Sequence, residues 1–246
     1  SPRLSANELT LYFSGNLLNS ESNLYVAHRS ALTEDFGTPT MLTIENSASL
    51  EGSPAVSADG LTLWFASKRV ANEDWHLFVA TRPSTLAEFG PPGLAAIVNA
   101  SDVTQTDAEP FVTADDKELW FVSTRSPSMG GKDIWYATRA STGFTTPVTA
   151  TELNSSTHDE YPLLSADRLT IYVTSLRSGT GTKGGVDIWR SHRATVGARF
   201  PALALVDELN TKENDVAAWL SADNCRMYMS SDINGTRDIF MATRQL

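Results

Sequence analysis

A short phrase recurs five times along the chain and constrains the fold more than any other feature. Its alanines are 52, 56, 52 and 56 residues apart. The copies are Ser5-Ala6-Asn7, Ser57-Ala58-Asp59, Thr113-Ala114-Asp115, Ser165-Ala166-Asp167 and Ser221-Ala222-Asp223. Repetition at this period is typical of arrays of small units, none of which can bury its own apolar surface. We expect a single domain over 1–246, with units at approximately 1–46, 47–99, 100–154, 155–210 and 211–246.

Each unit contains two strongly marked strands. In the fourth unit, 169–175 is rich in β-branched and aromatic residues, and 187–193 follows after a Gly-rich loop. Equivalent segments of the other units are apolar at successive positions, which is typical of a sheet covered on both faces. Radial stacking of like sheets around an axis gives such cover. We therefore predict an all-β protein, a five-bladed β-propeller of four-stranded antiparallel blades.

The fifth unit ends differently from the other four. A segment containing Phe36, Phe89, Phe144 or Phe200 closes the first four units, whereas the chain ends soon after Arg244. The last blade is therefore predicted to lack its outer strand in this chain. In a closed propeller that strand would come from residues ahead of Ser1, and we interpret the pattern as a truncation. An open strand edge favours association with another chain.

The motif P-x-L-S-A-D-G-x-x-L-x-F-x-S-x-R followed by D-I-W-x-A-T-R resembles the bacterial TolB-type, WD-like propeller repeat. It is carried by 54–69 with 77–82, by 110–125 with 133–139, and by 162–177 with 187–193. The first and last units match less completely, since Asn16 and Asp232 replace the Arg and Ala218 replaces the Pro. The resemblance implies an exported bacterial protein, periplasmic or at the cell surface, that acts as a protein-interaction module. Fold similarity alone does not identify a partner.

Composition narrows the range of partners. The formal net charge of -10 argues against nucleic acid, because phosphate binding needs clustered Lys and Arg. No apolar run approaches the roughly 20 residues of a membrane helix, so we expect no membrane insertion. The single cysteine, Cys225, excludes a disulfide framework and is predicted to be a buried, inert thiol in a strand. We expect a monomer whose partner is a protein or a cell-envelope component.

An acidic column precedes the innermost strand of each unit that is complete on that side. Its members are Glu51, Asp107, Asp159 and Asp215. Symmetry would arrange these carboxylates as a ring at one mouth of the central channel, where a calcium ion would suit them. The alternative is that each accepts backbone N–H bonds at the turn before the strand. No cofactor other than calcium is indicated.

Two further sets of residues recur with the repeat. Asp133, Asp187 and Asp238 open third strands, and Arg69, Arg125 and Arg177 end second strands. These positions predict an Asp–Arg bond between the second and third strands. A second arginine column, also interpreted as architectural, comprises Arg29, Arg82, Arg139, Arg193 and Arg244.

The sequence favours a non-enzymatic scaffold over an enzyme. The loops 126–132 and 179–185 are the longest departures between units, and partner contacts tend to lie on such variable loops. The alternative is a glycoside hydrolase of five-bladed type with carboxylates at the channel mouth. Such an enzyme needs two carboxyl groups in unlike environments, one with a raised pKa, whereas the acidic column is uniform.

Overall fold

The computed structural model describes residues 2–17, 22–70 and 74–244. They form five antiparallel sheets arranged as the blades of a β-propeller, which confirms the predicted fold class. Among the described residues the only helical segment is a single 3-10 turn, Asp207–Leu209, and no helix is long and apolar enough to cross a membrane.

Each blade is built outward from an innermost strand at the channel. Blade 1 contains β1 (Arg3–Leu4), β2 (Thr10–Gly15), β3 (Asn23–His28) and β4 (Thr40–Met41). Blade 2 contains β5 (Glu51–Val56), β6 (Thr62–Ser67), β7 (His76–Thr81) and β8 (Gly93–Leu94). Blade 3 contains β9 (Asp107–Val112), β10 (Glu118–Ser123) and β11 (Asp133–Ala140), and its outer edge is divided into β12 (Gly143–Phe144) and β13 (Val148–Thr149).

The last two blades differ in their number of strands. Blade 4 contains β14 (Asp159–Leu164), β15 (Thr170–Ser175), β16 (Asp187–His192) and β17 (Ala204–Leu205). Blade 5 contains β18 (Asp215–Leu220), β19 (Arg226–Ser231) and β20 (Asp238–Thr243), so it has three strands among the described residues. The prediction that the last blade lacks an outer strand is therefore confirmed.

The repeat phrase forms the tight turn between the first and second strands of each blade. In blade 2, Ser57 Oγ donates to Asp59 Oδ1 at 2.6 Å and accepts the backbone N–H of Thr62 at 2.9 Å. Gly60 has a φ of 72°, a left-handed conformation in which glycine carries no Cβ penalty. The phrase is repeated because the same Asx-type turn is required five times.

The blades pack into a closed ring around the channel. Neighbouring innermost strands contact each other from β1 through β5, β9, β14 and β18 back to β1. Between blades lie separate apolar clusters, each combining the second strand of one blade with the strands of the next. Blades 5 and 1 are joined by Tyr228 packing on Leu4 and Leu11, and by an ion pair of 2.6 Å between Arg226 and Glu8.

Cys225 is not the buried strand residue that the sequence predicted. It lies in the turn before β19 and is partly exposed. Its backbone N–H donates to Asp223 Oδ1 at 3.0 Å. The prediction was wrong because Cys225 occupies the same position as Leu61 and Leu169, in the turn before the second strand.

Candidate functional site at one channel mouth

The acidic column lies at the first position of each innermost strand from β5 to β18. Its four members are completely buried, with 0% exposure of Glu51, Asp107, Asp159 and Asp215. Each carboxylate accepts a backbone N–H from the turn just before it, donated by Ser47, Ala100, Ser155 and Thr211 respectively. The column therefore has the geometry of turn-forming residues, which was one of the two interpretations of the sequence.

Three of the four column carboxylates also bind the arginine that ends the second strand of the same blade. Arg69 Nη2 lies 3.1 Å from Glu51 Oε1, and Arg125 and Arg177 pair with Asp107 and Asp159. These arginines were predicted to pair with the aspartates that open the third strands, and that prediction was wrong. Each arginine pairs with the column carboxylate because the two lie close together across the first two strands of the blade. In these strands the column residue is paired in register with Ser67, Ser123 or Ser175.

The four column carboxylates are not grouped as a metal site in the described residues. Within the part of the chain that the structure describes, no three His, Cys, Asp or Glu side chains are grouped so that they could hold a metal ion. Each acid is bonded within its own blade. Calcium binding by this column stays a prediction.

A different column, which varies between blades, surrounds one channel mouth. The residue before each third strand is Ser22, Trp75, Lys132, Val186 or Arg237. In the first four blades its carbonyl accepts the backbone N–H of the acidic column residue in the next blade, at 2.7–2.9 Å. The repeat therefore fixes the backbone of this position at the junction between blades and leaves its side chain free to differ.

A second varying position lies inside a β-bulge of the innermost strand. The strand register shifts at this point in blades 2, 3 and 4. Ser53, Glu109 and Tyr161 occupy the bulge with φ values of 50°, 56° and 51°. Left-handed backbone at a non-glycine residue costs energy and is enriched at functional sites, where a bulge re-aims a side chain. Here it directs side chains of three blades toward one cavity.

The cavity at this mouth has a volume of about 230 Å³. We call it the variable mouth. It is lined by Ser14, Ser22, Gly52, Ser53, Ala66, Trp75, Ala108, Glu109, Lys132 and Tyr161. Hydroxyl groups, an indole ring and a charged pair therefore share one concave surface, as in small binding sites.

Lys132 connects two carboxylates at the variable mouth. Its Nζ lies 2.6 Å from Glu160 Oε1 and 3.5 Å from Glu109 Oε1. The backbone N–H of Tyr161 donates to Glu109 Oε2 at 2.9 Å. One ammonium thus holds an acid of blade 3 and an acid of blade 4 at the junction of these neighbouring blades.

The loop 126–132 positions Lys132 through close backbone contact with blade 4. A Cβ on Gly130 would lie 2.3 Å from the backbone carbon of Ser156, so only glycine fits there. The backbone N–H of Lys132 donates to His158 Nδ1 at 3.2 Å, and its carbonyl accepts the N–H of Asp159. One of the two loops that depart most from the repeat therefore ends by placing a cation at the channel mouth.

Burial and neighbouring charges shift the pKa values of Glu109, Lys132 and Tyr161. Burial, and after it the negative charge of Glu160, raises the pKa of Glu109 from 4.5 to about 7, against the opposing effect of Lys132. Burial lowers the pKa of Lys132, but the two carboxylates outweigh it and the pKa lies above its usual value. The charge of Glu109, followed by burial, raises the pKa of the Tyr161 hydroxyl.

The opposite channel mouth is uniform and apolar. The five alanines of the repeat phrase line it, together with Phe111, Leu163, Trp219 and Leu220. Arg3 is buried in its wall, where its guanidinium lies 5.5 Å from the ring centre of Phe111. Burial lowers the pKa of Arg3 to about 10.

Sequence reasoning missed Glu109, Lys132, Tyr161 and Trp75 because it searched for residues that recur. A usable signal was present: the positions next to the most regular ones vary from blade to blade. Side chains that vary at such positions indicate a binding site when the recurring residues beside them hold the backbone in place.

A closed five-bladed propeller with a polar, variable channel mouth is the class of protein that this structure defines. No protein-family model matches the sequence, and no curated protein matches it either. Solved structures show the fold. TolB from Acinetobacter baumannii is 16% identical with a TM-score of 0.54, covering 100% of this chain but 54% of its own.

Two other similar structures cover more of their own length. The TolB structure from Agrobacterium tumefaciens is 18% identical with a TM-score of 0.58, over 99% of this chain and 76% of that one. An endo-arabinase from Bacteroides thetaiotaomicron is 14% identical with a TM-score of 0.65, over 100% of this chain and 93% of that one. At these identities the similarity shows the fold, which the different proteins share.

Proposed function

We propose that this propeller is a non-enzymatic scaffold that binds a protein or a cell-envelope component at the variable mouth. One observation carries the proposal: four side chains that differ from blade to blade line one cavity at positions whose backbone the repeat fixes. Two of them, Trp75 and Lys132, lie at junctions between blades. The other two, Glu109 and Tyr161, lie at the bulges of the innermost strands. Repeat proteins commonly bind ligands on a concave surface whose side chains vary while the backbone of the repeats stays the same.

The chemistry of the variable mouth suits binding. Trp75 offers a large flat face, and Lys68 Nζ lies 5.5 Å from its ring centre. Serine hydroxyls on blades 1 and 2 supply hydrogen-bonding groups, while Lys132 and Glu160 supply charges that remain partly exposed. An aromatic anchor beside polar groups is the usual composition of an energetically important contact.

The same geometry speaks against hydrolysis. Lys132 contacts both Glu109 and Glu160, and its charge favours the ionised form of Glu109, whereas a general acid must be protonated. Catalytic acids and bases must lie within hydrogen-bond reach of the reacting atoms. In this proposal the cluster contacts a ligand and does not act on it chemically.

A photoreactive residue at the variable mouth tests this proposal. Benzoylphenylalanine in place of Trp75 is expected to cross-link one component of a bacterial envelope extract, and the adduct is expected to disappear in the additional variant Lys132→Ala. Benzoylphenylalanine in place of Leu86, which is 98% exposed on blade 2, is the control. Equal labelling from both positions would mean that the mouth has no preferred ligand.

Export to the periplasm or cell surface is part of the proposal. It is supported by the repeat motif and by the structural similarity to TolB. Fractionation of the source cells tests it, since recovery of the protein in the cytoplasm alone would contradict it.

A glycoside hydrolase is the second candidate, and one observation favours it. Glu109 has a pKa of about 7, as a general acid needs, and a second carboxyl group lies beside it. A panel of chromogenic glycosides, including arabinosides, tests this function. Turnover that is lost in Glu109→Gln and kept in Asp102→Asn, an exposed control, would replace the scaffold proposal.

A further inference from the structure

The channel mouth opposite the variable mouth, which we call the apolar mouth, has a single charged side chain among its described lining residues. At one level of the channel, each innermost strand contributes the residue that pairs with the aromatic residue of the second strand, as Ala55 pairs with Trp64. These five residues are Arg3, Ala55, Phe111, Leu163 and Trp219. Each blade supplies one of them, so one cation lies among four apolar side chains.

The side chain of Arg3 lies in the channel itself. Its Nη1 donates to the carbonyl of Ala218 in blade 5, and its guanidinium carbon lies 5.5 Å from the ring centre of Phe111 in blade 3. The innermost strand of blade 1 contacts those of blades 2 and 5, its neighbours in the ring. Because blade 3 is not a neighbour of blade 1, the side chains of Arg3 and Phe111 meet within the channel.

Arg3 is a buried charge that forms no ion pair with any described residue. It is 4% exposed, and its Nε has no hydrogen-bond partner among the residues that the structure describes. The charge of Glu109 acts on the guanidinium, but Glu109 itself contacts Lys132. Buried charges are normally paired, because an isolated ion loses its hydration without compensation. An unpaired cation in the channel therefore favours an anion that enters from outside the chain.

The cavity beside Arg3 suits an anion with an apolar body. Its volume is about 110 Å³, and its lining residues other than Arg3 and Ser57 are apolar. The hydroxyl of Ser57 is already bonded to Asp59 in its own turn. The five alanines of the repeat phrase line the cavity and are exposed, so the cavity opens to solvent at this mouth. An apolar cavity with one polar group is a common composition of small-molecule sites.

We propose that the apolar mouth binds a carboxylate that carries an apolar or aromatic group. The carboxylate accepts hydrogen bonds from the guanidinium of Arg3, and the apolar group packs against Phe111 and Trp219. Arginine suits this role because its planar, weakly hydrated guanidinium matches the geometry of a carboxylate. The site does not include Trp75 or Lys132, so it does not depend on the ligand proposed for the variable mouth.

A matched pair of small molecules tests this site. Phenylacetate and its neutral counterpart phenylacetamide are titrated into the 1–246 protein in an isothermal titration calorimeter. We expect saturable binding of phenylacetate and an affinity for phenylacetamide that is lower by at least about tenfold, because the amide lacks the charge that pairs with Arg3. This comparison uses the wild-type protein, so it does not depend on the folding of a variant.

A second pair of compounds identifies the source of the carboxylate. N-acetylphenylalanine resembles the C-terminus of a peptide, and its C-terminal amide is the control. Binding of N-acetylphenylalanine that is tighter than that of phenylacetate would support the site and identify a peptide terminus as its ligand. Weaker binding of N-acetylphenylalanine would support the site and identify a free small molecule.

Three variants locate the bound carboxylate. Arg3→Met is expected to remove the preference for phenylacetate over phenylacetamide and to leave Tm equal or higher, because an apolar side chain replaces an unpaired buried charge. Arg190→Met, at an exposed arginine of β16, is the control and should keep the preference. Ala166→Trp, at the exposed rim, is expected to weaken phenylacetate binding while leaving Arg3 in place.

Three results would each overturn the proposal. The first is an absence of saturable phenylacetate binding to the wild type. The second is equal affinity of the wild type for phenylacetate and phenylacetamide. The third is phenylacetate binding that Arg3→Met leaves unchanged.

Discussion

Two sets of carboxylates lie side by side in this propeller and differ in burial and in their partners. Asp107 and Asp159 belong to the acidic column, are completely buried, and are paired with arginine inside their own blades. Glu109 and Glu160 lie two residues and one residue further along the same strands, yet they share Lys132 across two blades. The first set recurs and pairs within its own blade, whereas the second occurs once and lies at the proposed site. Recurrence therefore separates the residues that build the blades from those of the proposed site.

The largest expected loss of stability comes from Trp120, one of the residues that build the blades. Trp120 is buried, stacks on Tyr136 with ring centres 4.6 Å apart, and donates from Nε1 to Glu118 at 3.0 Å. Trp120→Ala is expected to lower the free energy of unfolding by about 3–5 kcal/mol, because it empties a packed site between blades. Urea denaturation measures this, and a loss below about 1 kcal/mol would show that the second strands are not packed between blades.

Neighbouring residues of β14 sharpen the comparison. Asp159→Ala removes the buried partner of Arg177 and is expected to cost roughly 2–4 kcal/mol of stability. Glu160→Ala, one residue later, removes a partly exposed partner of Lys132 and is expected to cost less than about 1 kcal/mol. Both variants are compared by urea denaturation at pH 7. Similar losses in the two variants would contradict the division between architecture and site.

The variable mouth should make stability depend on pH. Glu109 has a pKa of 4.5 when unfolded and about 7 when folded, so the folded state binds more protons between these values. Its contribution to stability therefore falls as the pH rises from about 4.5 to about 7. Between pH 5 and pH 8 the wild type is expected to lose roughly 1–3 kcal/mol more than Glu109→Gln.

Denaturation at both pH values checks this expectation for Glu109. Glu152→Gln, on the exposed surface, is the control and should follow the wild type. Parallel pH profiles of the wild type and Glu109→Gln would mean that Glu109 ionises normally in the folded protein.

The smallest expected effect concerns calcium. The hypothesis of a carboxylate ring predicts stabilisation by millimolar calcium, lost in Asp159→Asn. The geometry predicts no shift in Tm, because every carboxylate of the acidic column is buried and already accepts hydrogen bonds within its blade. Thermal unfolding of chelator-treated protein with and without calcium decides between them. A calcium-dependent rise in Tm that Asp159→Asn removes would restore the ring hypothesis.

Much of the architecture could be predicted from single columns of the sequence. The spacing of the Ala column predicted five blades, and apolar runs such as that of β10 predicted sheets covered on both faces. The partner of Arg125 could not be predicted, because two acidic columns lie within reach of it in sequence. The register of the first two strands, which places Asp107 opposite Ser123, decided between them.

The sequence by itself determined the number of blades, their order and the residues that recur in them, because each repeat of the sequence forms one blade of the propeller. Only the tertiary structure decided that Glu109, Lys132 and Glu160 meet, since the contact joins separate blades through a left-handed bulge and a loop of irregular length. The tertiary structure also decided that the pKa of Glu109 is raised, because burial and the charge of Glu160 set this pKa. Neither of these can be read from a local sequence pattern.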